Sequence, residues 1–276
     1  MYADDTTIVF DYPSNEEAHE MMLQDVRKLE NYFAYHQLTV NIDKTLVVQF
    51  SNLQNENMAP IEMYGSQITN TSSSKFLGVH LDRRMTFKTH IEKVRRELSS
   101  LLGILHCNRK VLPLTAQVTV YRCLFIPKLC YGIEGYGSAT KTAIQPLQII
   151  QNKMLKLLLK LPPRTPSTSL YAQSDIDTLP VRALYVQSVL MLMYKIMNGF
   201  VDSNISFTMV QHPYNYRRQG HIKIPKFRLE FGKRKFTVQA AQLWNEVVAS
   251  KELINFHNLK RTITTRLKNR VAEFLN

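Results

Sequence analysis

The sequence contains little cysteine and no long apolar run, and both absences exclude classes of protein. Its 276 residues include three cysteines, Cys107, Cys123 and Cys130, without C-x-x-C spacing. This excludes a disulfide framework and the usual zinc ribbon or knuckle, and predicts three buried free thiols in a reducing compartment. Because no stretch of 18 apolar residues occurs and the opening residues are acidic, we expect neither a membrane span nor a signal peptide, and an intracellular protein of the nucleus or cytoplasm.

Acidic residues become scarce after the first third of the chain. Residues 1–90 carry 12 acidic and 7 basic side chains, whereas residues 91–276 carry 10 acidic and 28 basic ones, and the net charge of the whole chain is +13. Hydrophobic residues make up 45% of the sequence, which predicts a folded globular protein. The basic part predicts attraction to a polyanion, either nucleic acid or an anionic membrane surface, and charge alone does not distinguish these partners.

Hydrophobic patterning predicts an α+β segment over the first 85 residues. A capping box at Ser14–Glu17 begins a helix, and an apolar residue recurs on one face of it at Met22, Val26, Leu29 and Phe33. Strands are predicted at 6–10, 45–50 and 75–81, with a tight hairpin at 61–68.

Helical periodicity dominates from residue 87 onward. Helices are predicted near 91–105, 118–129, 144–161, 181–197, 235–249 and 259–274. Between the fourth and fifth of these, residues 198–232 are polar and interrupted by Pro and Gly, which predicts an extended arm or loop.

Two adjacent carboxylates precede the first predicted strand. In Tyr2-Ala3-Asp4-Asp5, the neighbouring acids repel each other unless water or a divalent cation lies between them. Mg²⁺ takes one or two carboxylates together with substrate phosphates, and paired ions clamp the attacking and leaving oxygens in phosphoryl transfer. This turn is therefore a candidate site for that chemistry.

Three motifs in this order resemble a known family. Their sequences are Y-A-D-D at 2–5, L-x-x-N-x-x-K-T at 38–45 and F-L-G-x-x-L-D at 76–82, the last continued by M-T-F-K-T-H-I at 85–91. They resemble the reverse transcriptases of non-LTR retrotransposons. Segments at 131–134, 150–153 and 241–245 are similar to the carboxy-terminal region of jockey-like elements.

The resemblance implies a fold and an activity. The fold would be α+β, with a truncated polymerase palm at 1–85, a helical thumb-like or connection domain at 86–200, and a basic arm with carboxy-terminal helices at 201–276. The activity would be that of an RNA-directed DNA polymerase, a nucleotidyltransferase that extends a primer on an RNA template with Mg²⁺. Its partners would be the RNA template and an RNA–DNA duplex, without a membrane, and the oligomeric state stays open.

The resemblance also assigns roles to residues of the first segment. Asp4 and Asp5 would be metal ligands of the catalytic site, and Tyr2 would lie near the primer terminus or the incoming nucleotide. Lys44 would donate a proton to the leaving pyrophosphate or contact a phosphate, and the alternative is an ordinary surface lysine. Phe76, Leu77 and Gly78, expected on a strand of the primer grip, would hold the primer.

One departure from the family predicts that the chain is inactive alone. The family uses a further metal-binding Asp on an earlier palm strand and fingers over the nucleotide, whereas this sequence begins one residue before the Tyr-Ala-Asp-Asp turn. We therefore expect a fragment with an incomplete metal site. The alternatives are a non-catalytic, basic nucleic-acid-binding module derived from a retroelement and a pseudogene product without a role.

Two basic segments are candidate nucleic-acid contacts. Lys153, Lys156 and Lys160 form a predicted stripe along one helix, which is either a ligand surface or simply a solvated face. The segment 217–235 contains eight bases, among them Lys233, Arg234 and Lys235, interleaved with phenylalanines. Such a pattern fits phosphate neutralisation combined with base stacking, and the alternative is a loop whose phenylalanines enter the core.

Overall fold

The computed structural model describes residues 6–11, 14–51, 59–172, 176–210, 221–247 and 256–275. The chain divides into two units, Met1–Thr86 and Phe87–Asn276. In the described residues the first unit combines helix and sheet and the second is almost entirely helical, which confirms the α+β class. The division into three segments at 85 and 200 stays a prediction.

The first unit contains one long helix and two small sheets. Its elements are helix α1 (Asn15–Tyr35), a 3₁₀ turn (Ile42–Lys44), and strands β1 (Leu46–Val48), β2 (Ile61–Met63), β3 (Ser66–Thr71), β4 (Ser73–Phe76) and β5 (Val79–Asp82). One sheet has the order β1-β3-β2, with β1 parallel and β2 antiparallel to β3, and the other is the antiparallel pair β4–β5.

Helix α1 covers the three-stranded sheet with its apolar face. The Ser14 hydroxyl accepts a hydrogen bond from the Glu17 N–H at 3.2 Å, as the capping box predicts. The predicted face of Met22, Val26, Leu29 and Phe33 packs against the buried side chains Ile61, Met63 and Ile68. Burial of this stripe against the sheet supplies the hydrophobic stabilisation of the unit.

The predicted hairpin at 61–68 is confirmed, and α1 holds its turn. Tyr64 and Gly65 both have positive φ, as a two-residue hairpin turn requires. The Tyr64 N–H donates to the Glu30 carboxylate at 2.5 Å, and the Tyr64 hydroxyl donates to the Glu30 carbonyl at 3.0 Å. The helix therefore fixes both the sheet face and the turn.

Two strand predictions are wrong. Residues 6–10 form no strand with any described residue, so the β-branched composition there lacks the partner that a strand needs for its backbone hydrogen bonds. The segment 75–81 is not one strand, because the chain reverses at Leu77 and Gly78 and places Phe76 opposite Val79. A Leu-Gly turn lacks the Asn or Asp residue from which such a reversal is usually predicted.

Eleven helices account for most of the described residues of the second unit. They are α2 (Lys88–Asn108), α3 (Leu114–Val120), α4 (Ile126–Cys130), α5 (Ile133–Tyr136), α6 (Lys141–Leu158), α7 (Ser167–Ala172), α8 (Val181–Met197), α9 (Glu230–Lys233), α10 (Phe236–Val247), α11 (Phe256–Asn269) and α12 (Val271–Leu275). A π-helical turn at Tyr121–Phe125 joins α3 to α4.

Helix α8 lies at the centre of this unit. It packs against α4, α5, α6, α10, α11 and α12. Eight of its side chains are buried, and its apolar residues do not concentrate on one face. A helix that is hydrophobic on all sides must be surrounded by other elements, which is why the shorter helices assemble around it.

Helix α6 ends earlier than its periodicity predicts. The predicted face extends to Leu161, but the helix ends at Leu158, and Leu158 rather than Leu157 completes the buried face. The Leu161 N–H donates to the Lys156 carbonyl at 2.9 Å, and Lys160 adopts a φ of 53°. This is a Schellman ending, which satisfies the last carbonyls before Pro162.

The predicted burial of all three cysteines is wrong. All three thiols are free, as expected, but Cys107 and Cys123 are exposed and Cys130 is half-buried. Cys107 lies in the last turn of α2 and Cys123 on the π-helical turn, both on surfaces that the core does not cover. Burial, and then the neighbouring Glu134 carboxylate, raise the pKa of the Cys130 thiol to about 11.

We expect opposite effects from alanine at two glycines. At Gly137 a β-carbon would overlap the Tyr185 ring and lie 2.5 Å from the Ile133 carbonyl, so Gly137→Ala should destabilise the fold by about 1–3 kcal/mol. At Gly103, inside α2, a β-carbon meets nothing within 4 Å, and Gly103→Ala should stabilise by up to about 1 kcal/mol. Denaturant unfolding of both variants measures the difference, and equal effects would contradict this packing.

The thiols should react at two different rates. Thiolate is the reactive form, so a pKa raised from 9.0 to about 11 lowers its fraction on Cys130 at pH 8 by about a hundredfold. A colorimetric thiol reagent at pH 8 should label two groups quickly and the third only slowly, until denaturant exposes it. Cys130→Ser should remove the slow phase alone, and three equal rates would contradict the structure.

Candidate nucleic-acid interface

The predicted metal turn lies outside the described residues. Tyr2, Asp4 and Asp5 all belong to the segment 1–5. Elsewhere in the described ranges, no three His, Cys, Asp or Glu side chains come together as a metal site would require. The structure therefore describes neither a magnesium site nor a competing metal site.

Lys44 lies on a turn that its own motif builds. The Asn41 side chain accepts a hydrogen bond from the Lys44 N–H at 3.2 Å, and the Thr45 hydroxyl donates to the Asn41 carbonyl at 2.9 Å. Three of the motif residues thus hold one 3₁₀ turn before β1. The Lys44 side chain is exposed and is free to reach an anion in solution.

Phe76, Leu77 and Gly78 form the tip of the β4–β5 hairpin rather than one strand. Phe76 is 42% exposed and Leu77 is 38% exposed, so both apolar side chains face solvent. Gly78 has a φ of 87°, which an L side chain adopts only with strain. The three predicted primer contacts are therefore adjacent and exposed, on a turn that requires glycine.

Asp82, the last residue of the same motif, closes the following loop. Its carboxylate accepts hydrogen bonds from the Thr86 N–H at 2.9 Å, from the Thr86 hydroxyl and from the Arg84 N–H at 3.2 Å. This loop includes Met85 with a positive φ. The carboxylate therefore supports backbone conformation, and the sequence motif gave no sign of that role.

The predicted lysine stripe on α6 is not continuous. Lys153 is exposed on the helix, whereas Lys156 donates from Nζ to the Pro163 carbonyl at 2.5 Å. Lys160 lies beyond the end of the helix in the left-handed conformation, so it leaves the helical face. The stripe prediction assumed that the helix continues to Leu161, and the Schellman ending moves Lys160 away from it.

The cations of the second predicted cluster, residues 233–235, make contacts within the protein. Lys233 pairs with Glu230 at 2.6 Å, and the Lys235 ammonium lies 5.1 Å above the centre of the Phe227 ring. Arg234 is half-buried at the end of α9, and its N–H donates to the Glu230 carbonyl. These contacts reduce, but do not remove, the charge that the cluster presents to solvent.

A more open basic surface precedes this cluster. Every residue from 223 to 229 is exposed, and the sequence there is KIPKFRL, with three cations and no acid. We name this run, residues 223–229, the basic strap. The preceding residue, Ile222, is only 2% exposed and pairs with Met209 in an isolated antiparallel bridge.

Asn245 anchors the strap, and sequence reasoning missed this role. Its side-chain oxygen accepts from the Ile222 N–H at 2.7 Å, and its amide nitrogen donates to the Ile222 carbonyl at 2.8 Å. Asn245 ends the motif A-Q-L-W-N on α10, so the motif residue acts on backbone 23 positions earlier in the chain. Only a tertiary contact relates the two.

The motif I-Q-N-K on α6 also has an internal role. Gln151 is fully buried, donates to the Leu179 carbonyl at 2.8 Å and accepts from the Tyr171 hydroxyl at 3.0 Å. The same hydroxyl lies 2.9 Å from the Asn152 side-chain oxygen, so its one hydrogen is shared between two acceptors, and the Asn152 amide donates to the Ser167 hydroxyl at 3.0 Å. Burial raises the pKa of the Tyr171 hydroxyl, which is consistent with a neutral donor in this network.

Sequence reasoning also overlooked a basic surface on α11. Leu259, Ile263 and Leu267 are buried toward the core, whereas Lys260 and Arg261 are exposed. Helix α11 contains no acid, and its only signal in the sequence is the amphipathic spacing of basic and apolar residues. No helix in the described part of the chain is long and apolar enough to cross a membrane.

Comparison with curated proteins confirms the resemblance read from the motifs. The chain is 28% identical over 158 residues to the RNA-directed DNA polymerase from mobile element jockey of Drosophila funebris, and 27% identical to that of Drosophila melanogaster. It is 28% identical over 181 residues to the probable RNA-directed DNA polymerase from transposon BS of Drosophila melanogaster.

The matched regions cover only part of each protein. They include 56–64% of this chain but 17–20% of those relatives, so the chain spans about a fifth of the length of the curated relatives it matches. No family model matches the sequence, and no solved structure matches it.

Proposed function

We propose that this chain is a nucleic-acid-binding part of a non-LTR reverse transcriptase. The observation that carries the proposal is its similarity to RNA-directed DNA polymerases of jockey and related mobile elements. The charge supports it, because 28 of the 35 basic residues lie after residue 90. In this proposal the first unit is the remainder of a polymerase palm, and the helices of the second unit are its thumb and carboxy-terminal region, acting in the nucleus or cytoplasm.

The first unit would contact the primer and the nucleotide. Asp4 and Asp5 would hold Mg²⁺, because carboxylate oxygens are the ligands that this ion prefers, and the ion would stabilise charge on the transferred phosphate. Lys44, exposed on a capped turn, would contact a phosphate. The exposed hairpin tip at Phe76–Gly78 would pack against the primer, and its two apolar side chains suit a sugar or base face better than a phosphate.

The second unit would neutralise nucleic-acid phosphates. Its buried side chains include only three polar ones among the described residues, His90, Gln117 and Gln151, so its cations keep contact with water. Charge on the surface attracts a polyanion without sequence preference and releases counterions on binding. A non-catalytic binding module would use the same surface, and the charge distribution is the observation that favours this second candidate.

Catalysis is proposed to require more than these 276 residues. Two-metal phosphoryl transfer needs carboxylates on both sides of the ion pair, and the motifs in this sequence supply only Asp4 and Asp5. The aligned region also covers only 17–20% of the relatives, whose polymerase activity belongs to the longer proteins. The primary role proposed for this chain is therefore nucleic-acid binding.

Nucleic-acid binding should depend steeply on salt. If about five of the cations contact phosphate, log affinity should fall with log salt at a slope near −4, or by a factor on the order of a hundred between 50 and 200 mM. Fluorescence anisotropy with two unrelated oligonucleotides of equal length measures the slope and the sequence preference. Binding to phosphatidylserine vesicles with no binding to either oligonucleotide would contradict the proposal.

The chain alone should not extend a primed RNA template in Mg²⁺. Because the carboxylate pair is expected to be insufficient, Asp4→Asn combined with Asp5→Asn should leave the background incorporation of labelled nucleotide unchanged. A full-length element polymerase serves as the positive control for template and primer. Primer extension by the chain that disappears in the double variant would show that these residues suffice for catalysis, contrary to the proposal.

A further inference from the structure

The basic strap combines cations and apolar side chains in one exposed run. Its cations are Lys223, Lys226 and Arg228, and its large apolar residues are Ile224, Phe227 and Leu229, which are 39%, 37% and 64% exposed. Exposed apolar side chains within a basic segment lose hydrophobic stabilisation while they face water. They gain it back when a flat apolar surface, such as a nucleic-acid base, covers them.

The strap is fixed at its amino-terminal end by backbone contacts. Beside the Asn245 clamp on Ile222, the Lys223 N–H donates to the Thr208 carbonyl and the Val210 N–H donates to the His221 carbonyl, each at 2.8 Å. The strap therefore begins from a buried, doubly hydrogen-bonded residue. A restraint of this kind means that less conformational entropy is lost when a ligand binds.

The carboxy-terminal end of the strap is fixed through Phe227. A β-carbon on Gly232 would lie 2.7 Å from the Phe227 side chain, so the ring packs directly on this glycine, and the Lys235 ammonium lies above the ring. Helix α9 then begins after Leu229, whose carbonyl accepts from the Lys233 N–H at 3.2 Å. The exposed cations thus lie between two anchored ends.

We infer that the basic strap is a preorganised contact site for single-stranded nucleic acid and that Asn245 is its positioning residue. The inference rests on the proposed function and locates its contact surface. Lys223, Lys226 and Arg228 would neutralise phosphates, while the exposed side chains of Ile224 and Leu229 would lie against unpaired bases.

The apolar residues favour a single strand over a duplex. Contacts to duplex phosphates need only cations, and paired bases bury the faces that Ile224 and Leu229 would cover. The strap is also favoured over the cluster at 233–235, because Lys233 is paired with Glu230 and Lys235 is occupied by the Phe227 ring. The three strap cations have no acidic neighbour within the run.

A charge-matched pair of variants tests the site in the full chain. The strap variant carries Lys223→Ala, Lys226→Ala and Arg228→Ala, and the control carries Lys88→Ala, Lys110→Ala and Arg122→Ala, three exposed cations of α2, the following loop and the π-helical turn. Both triple variants change the net charge from +13 to +10. Any effect of overall charge is therefore the same in both.

The strap variant should lose affinity for an unpaired oligothymidine on the order of tenfold at 100 mM salt. Its salt slope should become shallower by about two, because each phosphate contact on a single strand contributes about 0.7. The control variant should keep the slope, and a duplex of equal length should show a smaller difference between the two variants. Equal losses in strap and control variants, or a larger loss for the duplex, would overturn the inference.

A double-mutant comparison tests the role of Asn245. Asn245→Ala removes both bonds to Ile222, whereas Asn245→Asp keeps an acceptor for the N–H and loses the donor. Alanine should weaken binding to the single strand severalfold, and aspartate, which places a carboxylate oxygen against the Ile222 carbonyl and a negative charge beside the strap, should weaken it at least as much. Within the strap variant, Asn245→Ala should have a smaller effect, because the cations that it positions are absent.

An undiminished effect of Asn245→Ala in the strap variant would show that Asn245 acts elsewhere in the fold and would overturn its assignment. Circular dichroism and thermal unfolding verify that each variant is folded. If alanine at 245 prevents folding, the aspartate variant and the strap comparison still decide the question.

The failure of this inference and the failure of the proposed function give different results. If the wild-type chain binds no nucleic acid, the proposed function itself is refuted. If the wild-type chain binds and the strap and control variants bind equally well, only this inference is refuted.

Discussion

Burial of helix α8 is the interaction on which the second unit depends. Its 17 residues include only two charged side chains, Arg182 and Lys195, and its apolar residues lie on all sides. Such a helix is unfavourable in water unless other elements cover it, and six helices from α4 to α12 do so. The close approach of Gly137 to Tyr185, secured by the Arg182 bond to the Gly137 carbonyl at 2.9 Å, is one consequence.

The core that surrounds α8 also determines where the charge lies. The buried amides of Gln117 and Gln151 are hydrogen-bonded internally, most clearly in the network of Gln151, Tyr121 and Tyr171 that connects α6 with the chain before α8. Removing an unpaired cation from water costs far more free energy than a single new contact supplies. The excess basic residues therefore lie on surfaces such as α11 and the strap. The packing of the core and the distribution of surface charge thus both follow from the cost of burying charge.

The sequence motifs of this chain divide into internal and external residues. Four motif residues form hydrogen bonds within the protein, to backbone or side chains: Asn41, Asp82, Gln151 and Asn245. Lys44, Phe76 and Leu77 come from the same motifs and face solvent. One motif therefore contains residues that stabilise the fold and residues that face solvent. Sequence similarity alone does not show which residues have which role.

Local physics explains what the sequence by itself determined. The capping serine of α1, the apolar stripe from Met22 to Phe33, the hairpin at 61–68 and the bounds of α8 follow from residue types and their local spacing, and the α+β class follows from them. The order of motifs likewise identified the relatives without any structure. The same reasoning assigned residues 76–78, which form the tip of a hairpin, to a strand.

Backbone pairing that the residue pattern does not encode decided the rest, in one case between distant parts of the chain. A Leu-Gly reversal became a hairpin because β4 finds its partner in β5, and residues 6–10 form no strand because no described segment pairs with them. Lys160 does not lie on the predicted stripe, because α6 ends before it in a Schellman motif that satisfies the last carbonyls of the helix. Asn245 became the anchor of the strap because folding brings α10 to Ile222, and a hydrogen bond across 23 residues depends on the packing of the whole unit, which no local pattern encodes.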